Sequence, residues 1–424
     1  MIGADQLPRV LHGATGRPLT LAQHDEVFGP LGHAPSLDEL RDSGLTGHGG
    51  AGFATWRKAQ LIGDQRGHTK FVVVNAMEGE PAAHKDRTLI GANPHLVLDG
   101  AEYLAGVVGA SRIAVCVSRD NPGTINHLQH AIHERERRTR RATSLELHTP
   151  PWRYVAGEES ALVHWLDDNE SLPQYRPRRP HVLRIGHAPA LVDNAETCAH
   201  VGLIARFGAS WFRSLGTETS PGSALVSISG AVSRPCVLEV AFATPLRTIL
   251  ARAGADRDPW AVLLGGYGGA WLDARHLDTP YDNDALAPLG SSVGAGVIIV
   301  LPKSGCGVVE TQRITRWMAN ESARQCGPCA FGLPALADDL ARLTSNGRDA
   351  AAARARLVDR CSAIEGRGAC RHPDGVVRLV RSALEVFAEH IEDHVRGRYC
   401  AASHSSHHVA AVPSLEREAE LVWE

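Results

Sequence analysis

The sequence has no long hydrophobic run and no marked excess of charge of one sign. None of its 424 residues lies in a stretch approaching the roughly 18 to 20 consecutive apolar residues that span a bilayer. Its 44 basic and 47 acidic residues leave a net charge of −3, which gives no basic field to attract a phosphate backbone. The amino-terminal residues lack the basic and then apolar pattern of a secretory signal. These absences lead us to expect a cytoplasmic protein that neither inserts into a membrane nor binds nucleic acid.

The composition is that of a packed globular protein. Hydrophobic residues make up 43% and charged residues 21%, which excludes wholesale disorder, collagen and coiled coil. At roughly 100 to 200 residues per domain, the length predicts two to four domains. Nine cysteines in a chain without an export signal argue against a disulfide framework, and five of them lie in the last quarter of the sequence. Clustered cysteines of this kind more often bind metal.

A glycine-rich segment is the first local signal. Five glycines fall within the nine residues 44–52, and Lys58 follows within two helical turns. Glycines let backbone N–H groups approach an anion closely, and a helix starting near Ala54 would point its positive end at the same place. A strand predicted over residues 70–75 then ends in a polar residue, Asn75. Because a glycine-rich turn can also be only a tight bend, this segment alone leaves its function open.

The order of predicted elements indicates the fold class. A helix over residues 94–108 and a strand over residues 111–118 predict an α/β domain with a parallel sheet. From about Gly222, short strands with one helix predict a small α+β unit. An Ala-, Leu- and Arg-rich stretch from 309 to about 398 predicts a helical bundle. We therefore predict domains at 1–215, 216–304 and 305–402, followed by a polar tail at 403–424.

Two pairs of carboxylates belong to the first predicted domain. Glu78 and Glu80 follow the strand, and Glu158 and Glu159 precede a helix. Acidic residues near a nucleotide commonly bind ribose hydroxyls or the polar edges of a flavin. A solvated face or a helix amino terminus also carries such pairs, so the carboxylates alone do not decide between the two interpretations.

A Cys-x-x-Cys pair is the sharper signal. Cys326 and Cys329 stand between predicted helices, and Cys370 lies on a later turn. Such a set can ligate zinc, act as redox thiols or hold part of an iron–sulfur cluster, and the spacing leaves all three open.

Six motifs occur in one order between Gly44 and Cys370. They are Gly-Leu-x-Gly-x-Gly-Gly-Ala-Gly-Phe, Asn-x-x-Glu-x-Glu-Pro with Lys-Asp-Arg, Pro-His, Tyr-x-x-Gly-Glu-Glu, Asn-x-Glu-Thr and Glu-Ser-x-x-x-Cys-x-Pro-Cys. The series resembles the FMN- and NADH-binding subunit of respiratory complex I, a family that includes the diaphorase subunits of NAD-linked hydrogenases and formate dehydrogenases. The resemblance implies a flavin-binding α/β domain with a parallel sheet, a small β-grasp (α+β) domain of the soluble-ligand-binding type, and a helical bundle with a [4Fe–4S] cluster.

The resemblance also implies roles for residues at the matching positions. The FMN phosphate and ribityl chain would be held by Gly47, Gly49, Gly50 and Lys58. The flavin would be surrounded by Asn75, Glu78, Tyr154, Gly157, Glu158, Asn194 and Thr197. NADH would meet Phe53, Glu80 and Glu159. The cluster would be bound by Cys326, Cys329 and Cys370.

The chain departs from the family pattern at several places. Met77 stands where the family has an aspartate, Leu61 stands where it has a second aromatic residue against NADH, and a proline-rich segment is reduced to residues 176–181. Ala323 replaces the first cluster cysteine, which leaves either a [4Fe–4S] cluster with a non-cysteine ligand or a three-iron [3Fe–4S] cluster. Cys361 is either a substitute ligand or a core residue, and loss of the cluster is the remaining alternative.

We expect an FMN-dependent NADH oxidoreductase that passes electrons through an iron–sulfur cluster to a ferredoxin or another iron–sulfur protein. The departures favour a specialised stand-alone paralogue of the family. The alternative is a non-catalytic binding or assembly subunit that keeps the fold and does not oxidise NADH. Arginines at positions 176, 178 and 179 leave NADPH open as the donor.

Overall fold

The computed structural model describes residues 3, 6–67, 69–138, 143–175, 182–256, 258–345, 349–405 and 407–413. The predicted NADPH contact at residues 176–181 lies outside this part of the chain. The described residues form two five-stranded sheets and the helices around them. Among those helices, none has the length and hydropathy needed to cross a bilayer.

The first sheet is mainly parallel, as the sequence predicts. Its strands are β1 (Phe71–Ala76), β2 (Arg112–Val117), β3 (Ser144–His148), β4 (Leu183–Ile185) and β5 (Ala188–Asn194). The strand order is β3-β2-β1-β5-β4, and only β4 runs antiparallel to its neighbour. Because β1 is covered on both faces, its first four residues are all buried, which explains the unbroken Phe-Val-Val-Val run.

Helices cover this sheet. They are α1 (Leu21–Phe28), α2 (Leu37–Ser43), α3 (Thr55–Gly63), α4 (Lys85–Ala92), α5 (Pro94–Val108), α6 (Pro122–Arg138), α7 (Glu159–Asp168), α8 (Ala195–Phe207) and α9 (Ala209–Phe212). The bounds of α5 agree with the prediction, since Pro94 opens the helix and Gly109 ends it in a left-handed conformation. Helices α5 and α8 pack so closely that a Cβ added to Gly100 would lie 1.7 Å from the carbonyl oxygen of Cys198.

The second sheet is mixed. Its strands are β6 (Ser223–Gly230), β7 (Cys236–Ala241), β8 (Ala261–Leu264), β9 (Ala270–Asp273) and β10 (Val297–Leu301), with the helices α10 (Leu246–Arg252) and α11 (Asn283–Leu286) between them. The strand order is β7-β6-β10-β8-β9, in which only β6 and β10 are parallel. The backbone N–H of Leu225 on β6 donates to Glu196 on α8 at 2.7 Å, which joins the second sheet to the first domain.

Five helices follow the second sheet in the described part of the chain. They are α12 (Gly307–Asn320), α13 (Leu333–Thr344), α14 (Ala350–Ile364), α15 (His372–Val386) and α16 (Ala388–Val395). Trp271 of β9 donates its indole N–H to Thr311 of α12 at 2.8 Å and packs edge-on against Phe387. The helices therefore share one apolar core with a face of the second sheet. The predicted domain boundaries, including the one at 304, remain predictions.

The carboxyl-terminal segment differs from the predicted solvated tail. The backbone N–H groups of Val409 and Ala410 donate to the carboxylate of Glu310 on α12, and the His408 ring lies 3.1 Å from the same carboxylate. Ala410 is buried. Residues 408–410 are held against α12 because the nearly buried Glu310 carboxylate provides their hydrogen-bond acceptor.

Candidate functional site

The candidate site lies at the carboxyl ends of β1 and β5. From β1 the chain continues to β2 and β3 on one side, whereas β5 joins on the other side. Ligands of open α/β sheets bind at such a switch point, outside the carboxyl ends of the strands. Two predicted flavin contacts stand opposite each other in the ladder here: Asn75, the next-to-last residue of β1, and Asn194, the last residue of β5.

Two asparagines fix the shape of this crevice. The amide nitrogen of Asn194 donates to the carbonyl of Asn75 at 3.1 Å, while its amide oxygen caps α8 by accepting from the N–H of Glu196. Asn75 in turn donates to the carbonyl of Gly157 at 2.8 Å. The turn at residues 154–158 is thereby held against the end of β1, as the predicted roles of Tyr154, Gly157 and Glu158 require.

The glycine-rich segment forms a hairpin at the same edge. The N–H of Gly47 donates to the carbonyl of Phe53 at 2.8 Å, and the N–H of His48 donates to the hydroxyl of Thr197 on α8 at 2.9 Å. Helix α3 begins directly after this hairpin. The predicted glycines and Thr197 are therefore brought together with the two asparagines.

The hairpin leaves a cradle at Gly47 and Gly49. Neither glycine has a positive φ, and an added Cβ would come no closer than 3.5 Å and 3.7 Å, respectively, to its nearest neighbour. Neither the backbone conformation nor a neighbouring residue in the described chain therefore requires glycine at these two positions. Gly50 differs, because its φ of 98° is one that glycine adopts freely. The open space beside the hairpin backbone fits a ligand that approaches closely, as the FMN ribityl phosphate would.

Phe53 ends the hairpin with an exposed ring. It exposes 42% of its surface, which is high for a phenylalanine. An exposed aromatic ring at the end of the glycine hairpin can stack on a planar ring. The predicted stacking of Phe53 on NADH remains a prediction that this exposure supports.

Lys58 is surrounded by acceptors. Its ammonium group donates to the carbonyl of Val192 at 3.0 Å, forms a hydrogen bond with the Glu159 carboxylate and lies 3.7 Å from Asp193. Burial would lower the pKa of Lys58, but Asp193 and Glu159 outweigh it and raise the pKa. Because two carboxylates already balance its charge, Lys58 is better suited to donate to a neutral polar edge than to neutralise the predicted phosphate.

Glu78 caps a helix beside the crevice. Its carboxylate accepts from the N–H of Asp86 and from the side chain of Arg87, both at 2.8 Å. Burial and the neighbouring Asp86 raise the pKa of Glu78. Its φ of 41° is unusual for a non-glycine residue and marks a strained backbone of the kind that collects at binding sites.

A buried charge network supports the crevice from below. The ammonium group of Lys85 lies 2.8 Å from Asn194, 2.9 Å from Glu196 and 3.0 Å from Asp86. His48 contacts the other carboxylate oxygen of Glu196 at 2.9 Å. Although burial opposes ionisation, Lys85 and His48 hold the pKa of Glu196 well below its usual value.

Sequence reasoning did not assign roles to this network. Lys85 and Asp86 belong to the Lys-Asp-Arg motif and Glu196 to the Asn-x-Glu-Thr motif, which is the signal that could have found them. They orient Asn194 and the glycine hairpin, so we class them as positioning residues.

Glu80 lies against the second sheet. Its carboxylate accepts from the N–H of Tyr267 at 2.8 Å and from that of Ala82 at 3.4 Å, and only 8% of the residue is exposed. Burial raises the pKa of Glu80 to about 7, against the effect of these hydrogen bonds. Glu80 therefore joins the segment after β1 to the turn between β8 and β9, and its contact with NADH remains a prediction.

Three cysteines converge at the start of the helical bundle. Cys329 lies in a short π-helical turn, Pro328–Gly332, and Cys326 lies two residues before it, with its thiol in hydrogen-bonding reach of the Cys329 thiol. Cys370 lies just before α15, close enough for its charge to affect the pKa of Cys329 and for the charge of Cys326 to affect its own pKa. Burial raises the pKa of Cys370 to about 11, and Glu158 adds to this rise. The three predicted cluster ligands therefore lie in the same region, and we refer to these three cysteines together as the thiol group.

The turn at residues 154–158 also packs against the helical bundle near these cysteines. The N–H of Tyr154 donates to Glu321 at 2.9 Å, and the Tyr154 ring packs against Trp317 and His372 of the bundle. Glu158 caps α7 and influences the Cys370 thiol. One five-residue segment therefore contacts both the end of β1 and the helical bundle that carries the cysteines.

Cys361 lies in the core of the helical bundle. It is fully buried in the apolar core, and the charged groups that most affect its pKa are Arg381 and Glu365. In this structure Cys361 is therefore a buried core residue of the bundle.

Two family models and many known proteins match this chain. The Nuo51 FMN-binding domain model matches residues 40–203, and the model of the NADH-ubiquinone oxidoreductase-F iron-sulfur binding region matches residues 310–394. The NADH-quinone oxidoreductase F subunit of Mycobacterium bovis is 33% identical over 377 residues, covering 85% of this chain and 84% of that protein. The chain belongs to the family of NADH-quinone oxidoreductase F subunits. The family member of Streptomyces coelicolor is 31% identical over 373 residues, with 85% of this chain and 83% of that protein covered.

A solved structure resembles this member of the NADH-quinone oxidoreductase family. It is an NAD+-reducing [NiFe]-hydrogenase in the air-oxidized state, with a TM-score of 0.76 and 26% identity. The match covers 90% of this chain but only 65% of the hydrogenase chain. The recognised family and the mixed α/β class with a parallel sheet are thereby confirmed.

The two regions matched by the family models fit their cofactors. The FMN-binding region contains the cradle at Gly47 and Gly49, and the iron–sulfur region contains the converging thiols, which are the donors that iron–sulfur clusters take. Met77, where the family has an aspartate, is buried in the apolar core with Phe71 and Val73. This substitution therefore places no apolar group in the crevice.

Proposed function

We propose that this chain oxidises NADH and passes the electrons through FMN and an iron–sulfur cluster to an iron–sulfur partner protein. The observation that carries the proposal is the position of the turn at residues 154–158, which accepts a hydrogen bond from Asn75 at Gly157 and packs through Tyr154 against His372, two residues after Cys370. Electron transfer requires that the two cofactors lie close together. The turn at residues 154–158 supports this, because it packs against both cofactor regions.

The residues of the crevice bind and orient. When bound, FMN accepts a hydride from NADH and releases electrons one at a time. The glycine hairpin would hold the ribityl phosphate, Lys58 would donate to a polar edge of the ring, and Phe53 would stack on the nicotinamide nucleotide. Hydride transfer needs no acid or base from the chain, so these residues would contribute by binding and orienting the two cofactors.

The thiol group would hold the cluster through Cys326, Cys329 and Cys370. Three thiolates suffice for a [3Fe–4S] cluster, or for a [4Fe–4S] cluster whose fourth iron has a non-cysteine ligand. Its ligands must be deprotonated, so cluster binding would offset the raised pKa values of the buried thiols.

The partner would dock beside the cluster. Phe331, two residues after Cys329, exposes 78% of its surface, and Cys326 is only half-buried. An exposed aromatic ring next to a redox centre fits a protein surface that receives electrons. A ferredoxin or an iron–sulfur subunit, in the cytoplasm, is the partner we propose.

The strand order of the second sheet supports the proposed β-grasp layout between the two cofactor regions.

The test is an anaerobic titration of the FMN-reconstituted protein with NADH, followed by flavin absorbance. Stoichiometric bleaching is expected. A bound flavin that NADH does not bleach would contradict the proposal and favour the alternative, a binding or assembly subunit. Two features favour that alternative. Ala323 stands in place of the first cluster cysteine, and Glu80, the predicted NADH contact, already accepts a hydrogen bond from the N–H of Tyr267.

A matched pair of glycine variants tests the cradle. Gly49→Leu should abolish FMN binding, because its side chain would fill the open space beside the hairpin. Gly63→Leu, at the end of α3 with no neighbour within 4 Å of an added Cβ, should bind FMN like the unchanged protein. Equal FMN binding by both variants would remove the hairpin from the site.

A further inference from the structure

A second group of metal-ligand side chains lies elsewhere in the bundle. It consists of Cys306, His390, His394 and Cys400, and one ligand atom of each lies within 4.8 Å of those of all the others. We propose that these four residues form a structural zinc site, which is separate from the thiol group of Cys326, Cys329 and Cys370.

The four ligands come from three places in the fold. Cys306 caps the amino terminus of α12, five residues after β10 ends. His390 and His394 lie one turn apart on α16 and therefore on the same face of that helix. Cys400 follows α16 and precedes a short 3₁₀ turn. A bound ion would thus join the end of the second sheet, the last long helix and the segment that follows it.

The distances match tetrahedral coordination. The Sγ of Cys306 lies 3.5 Å from Nε2 of His394, and the Sγ of Cys400 lies 3.5 Å from Nε2 of His390. Zinc bonds of about 2.3 Å to sulfur and about 2.0 Å to nitrogen give a sulfur–nitrogen edge of roughly 3.5 Å in a regular tetrahedron. A central ion therefore needs only small adjustments of the four side chains.

The donor set and its surroundings favour zinc over other ions. Two thiolates and two imidazoles in a tetrahedron are a common structural zinc set, whereas magnesium and calcium take oxygen ligands. Cys306 and His394 are 2% and 1% exposed, and the ring of Trp260 packs edge-on against His390 at 5.2 Å. With all four positions filled by protein and three of the four residues buried, the ion would stabilise the fold rather than bind a substrate.

Two sulfur–nitrogen hydrogen bonds are the simpler interpretation of the same contacts. Such hydrogen bonds explain the short distance within each Cys–His pair. They do not explain why the two pairs also lie together, with one ligand atom of each residue within 4.8 Å of those of the other three. Metal analysis distinguishes the two interpretations.

The experiment measures zinc and iron in the full-length protein purified without chelators. The expected result is about one zinc per chain, with X-ray absorption at the zinc edge showing two sulfur and two nitrogen neighbours at about 2.3 Å and 2.0 Å. Because that edge belongs to zinc alone, iron in the cluster does not interfere. Cys400→Ser and His390→Asn should each lower the zinc content by about tenfold or more while leaving FMN bound.

Cys236→Ser is the matched control. Cys236 is a half-buried cysteine on β7, outside both cysteine groups, so its replacement should leave zinc unchanged. Three results would overturn the proposal: no zinc even after incubation with zinc chloride, zinc bound only to nitrogen and oxygen, or a Cys306–Cys400 disulfide in anaerobically purified protein. The absorption measurement on the unchanged protein decides the matter even if a variant fails to fold.

Discussion

Lys58 illustrates how single residues of this site depend on partners far away in the sequence. Its main partner Glu159 is 101 residues away, and Asp193 is fully buried beside it. Burial raises the pKa of Asp193 to about 6, even though Lys58 lowers it. The lysine thus keeps a buried carboxylate ionised near neutral pH.

Replacing Lys58 with methionine should therefore destabilise the protein. Loss of the ammonium group leaves Asp193 buried without its cation, which we expect to lower the free energy of unfolding by about 2 to 4 kcal/mol at pH 7. Urea denaturation measures this change. The double variant Lys58→Met with Asp193→Asn should recover part of the loss, and additive effects of the two changes would contradict the pairing.

Glu80 should make the stability depend on pH. Because its folded pKa of about 7 is above the usual value of 4.5, its contribution is fully present below about pH 4.5 and is lost as the pH rises through 7. The free energy of unfolding should fall over this window by up to about 3 kcal/mol. Glu80→Gln cannot ionise and should remove that slope.

Unfolding by urea at several pH values between 5 and 8 checks this expectation. Glu134→Gln, which changes a partly exposed carboxylate, is the control and should keep the slope. A Glu80→Gln protein with the slope of the unchanged protein would show that Glu80 is ionised throughout.

At the scale of elements, one carboxylate joins α13 to α14. Asp339 is fully buried and accepts hydrogen bonds from Arg342, Arg356 and Arg360 at 2.7 to 2.9 Å. Burial would raise the pKa of Asp339, but the three guanidinium groups outweigh it and lower the pKa. The stability from this cluster is therefore present above about pH 4 and is lost as the pH falls below it.

Asp339→Asn should loosen the contact between these helices. We expect a loss of about 1 to 3 kcal/mol at pH 7, since the arginines are partly exposed and solvent screens part of the effect. The neighbouring Asp338, half-exposed and paired with Arg316 alone among the described residues, provides the control. Asp338→Asn should change the unfolding free energy by less than about 1 kcal/mol, and equal losses from both variants would contradict the role of the cluster.

Elements were more predictable from the sequence than contacts. Helix α5 and strand β1 follow from an apolar run with proline, asparagine and glycine at its ends, all of which are local signals. The pairing of Lys58 with Glu159, the engagement of Glu80 with Tyr267 and the approach of Cys306 to His394 join residues 88 to 187 positions apart. Such contacts depend on how the two sheets and the helices pack, which no local pattern records.

At the scale of the whole molecule, the turn at residues 154–158 places the flavin region beside the iron–sulfur region. Changing a cluster ligand should therefore separate the two cofactors functionally. Cys370→Ser should lower iron content and electron transfer to an external acceptor, while FMN binding and bleaching by NADH persist. Iron analysis and anaerobic absorbance measure both effects, with Cys236→Ser as the control. Unchanged iron content in Cys370→Ser would remove Cys370 from the ligand set.

The pairing of β1 with β5 also has a consequence for synthesis on the ribosome. Asn75 and Asn194 are 119 residues apart, so at roughly 5 to 20 residues per second β1 emerges about 6 to 24 s before its neighbour. During that time the valine-rich strand has an open edge, which is the kind of surface that pairs with other chains. The crevice between these two strands is therefore completed late, and the nascent chain needs protection from aggregation until residue 194 has been made.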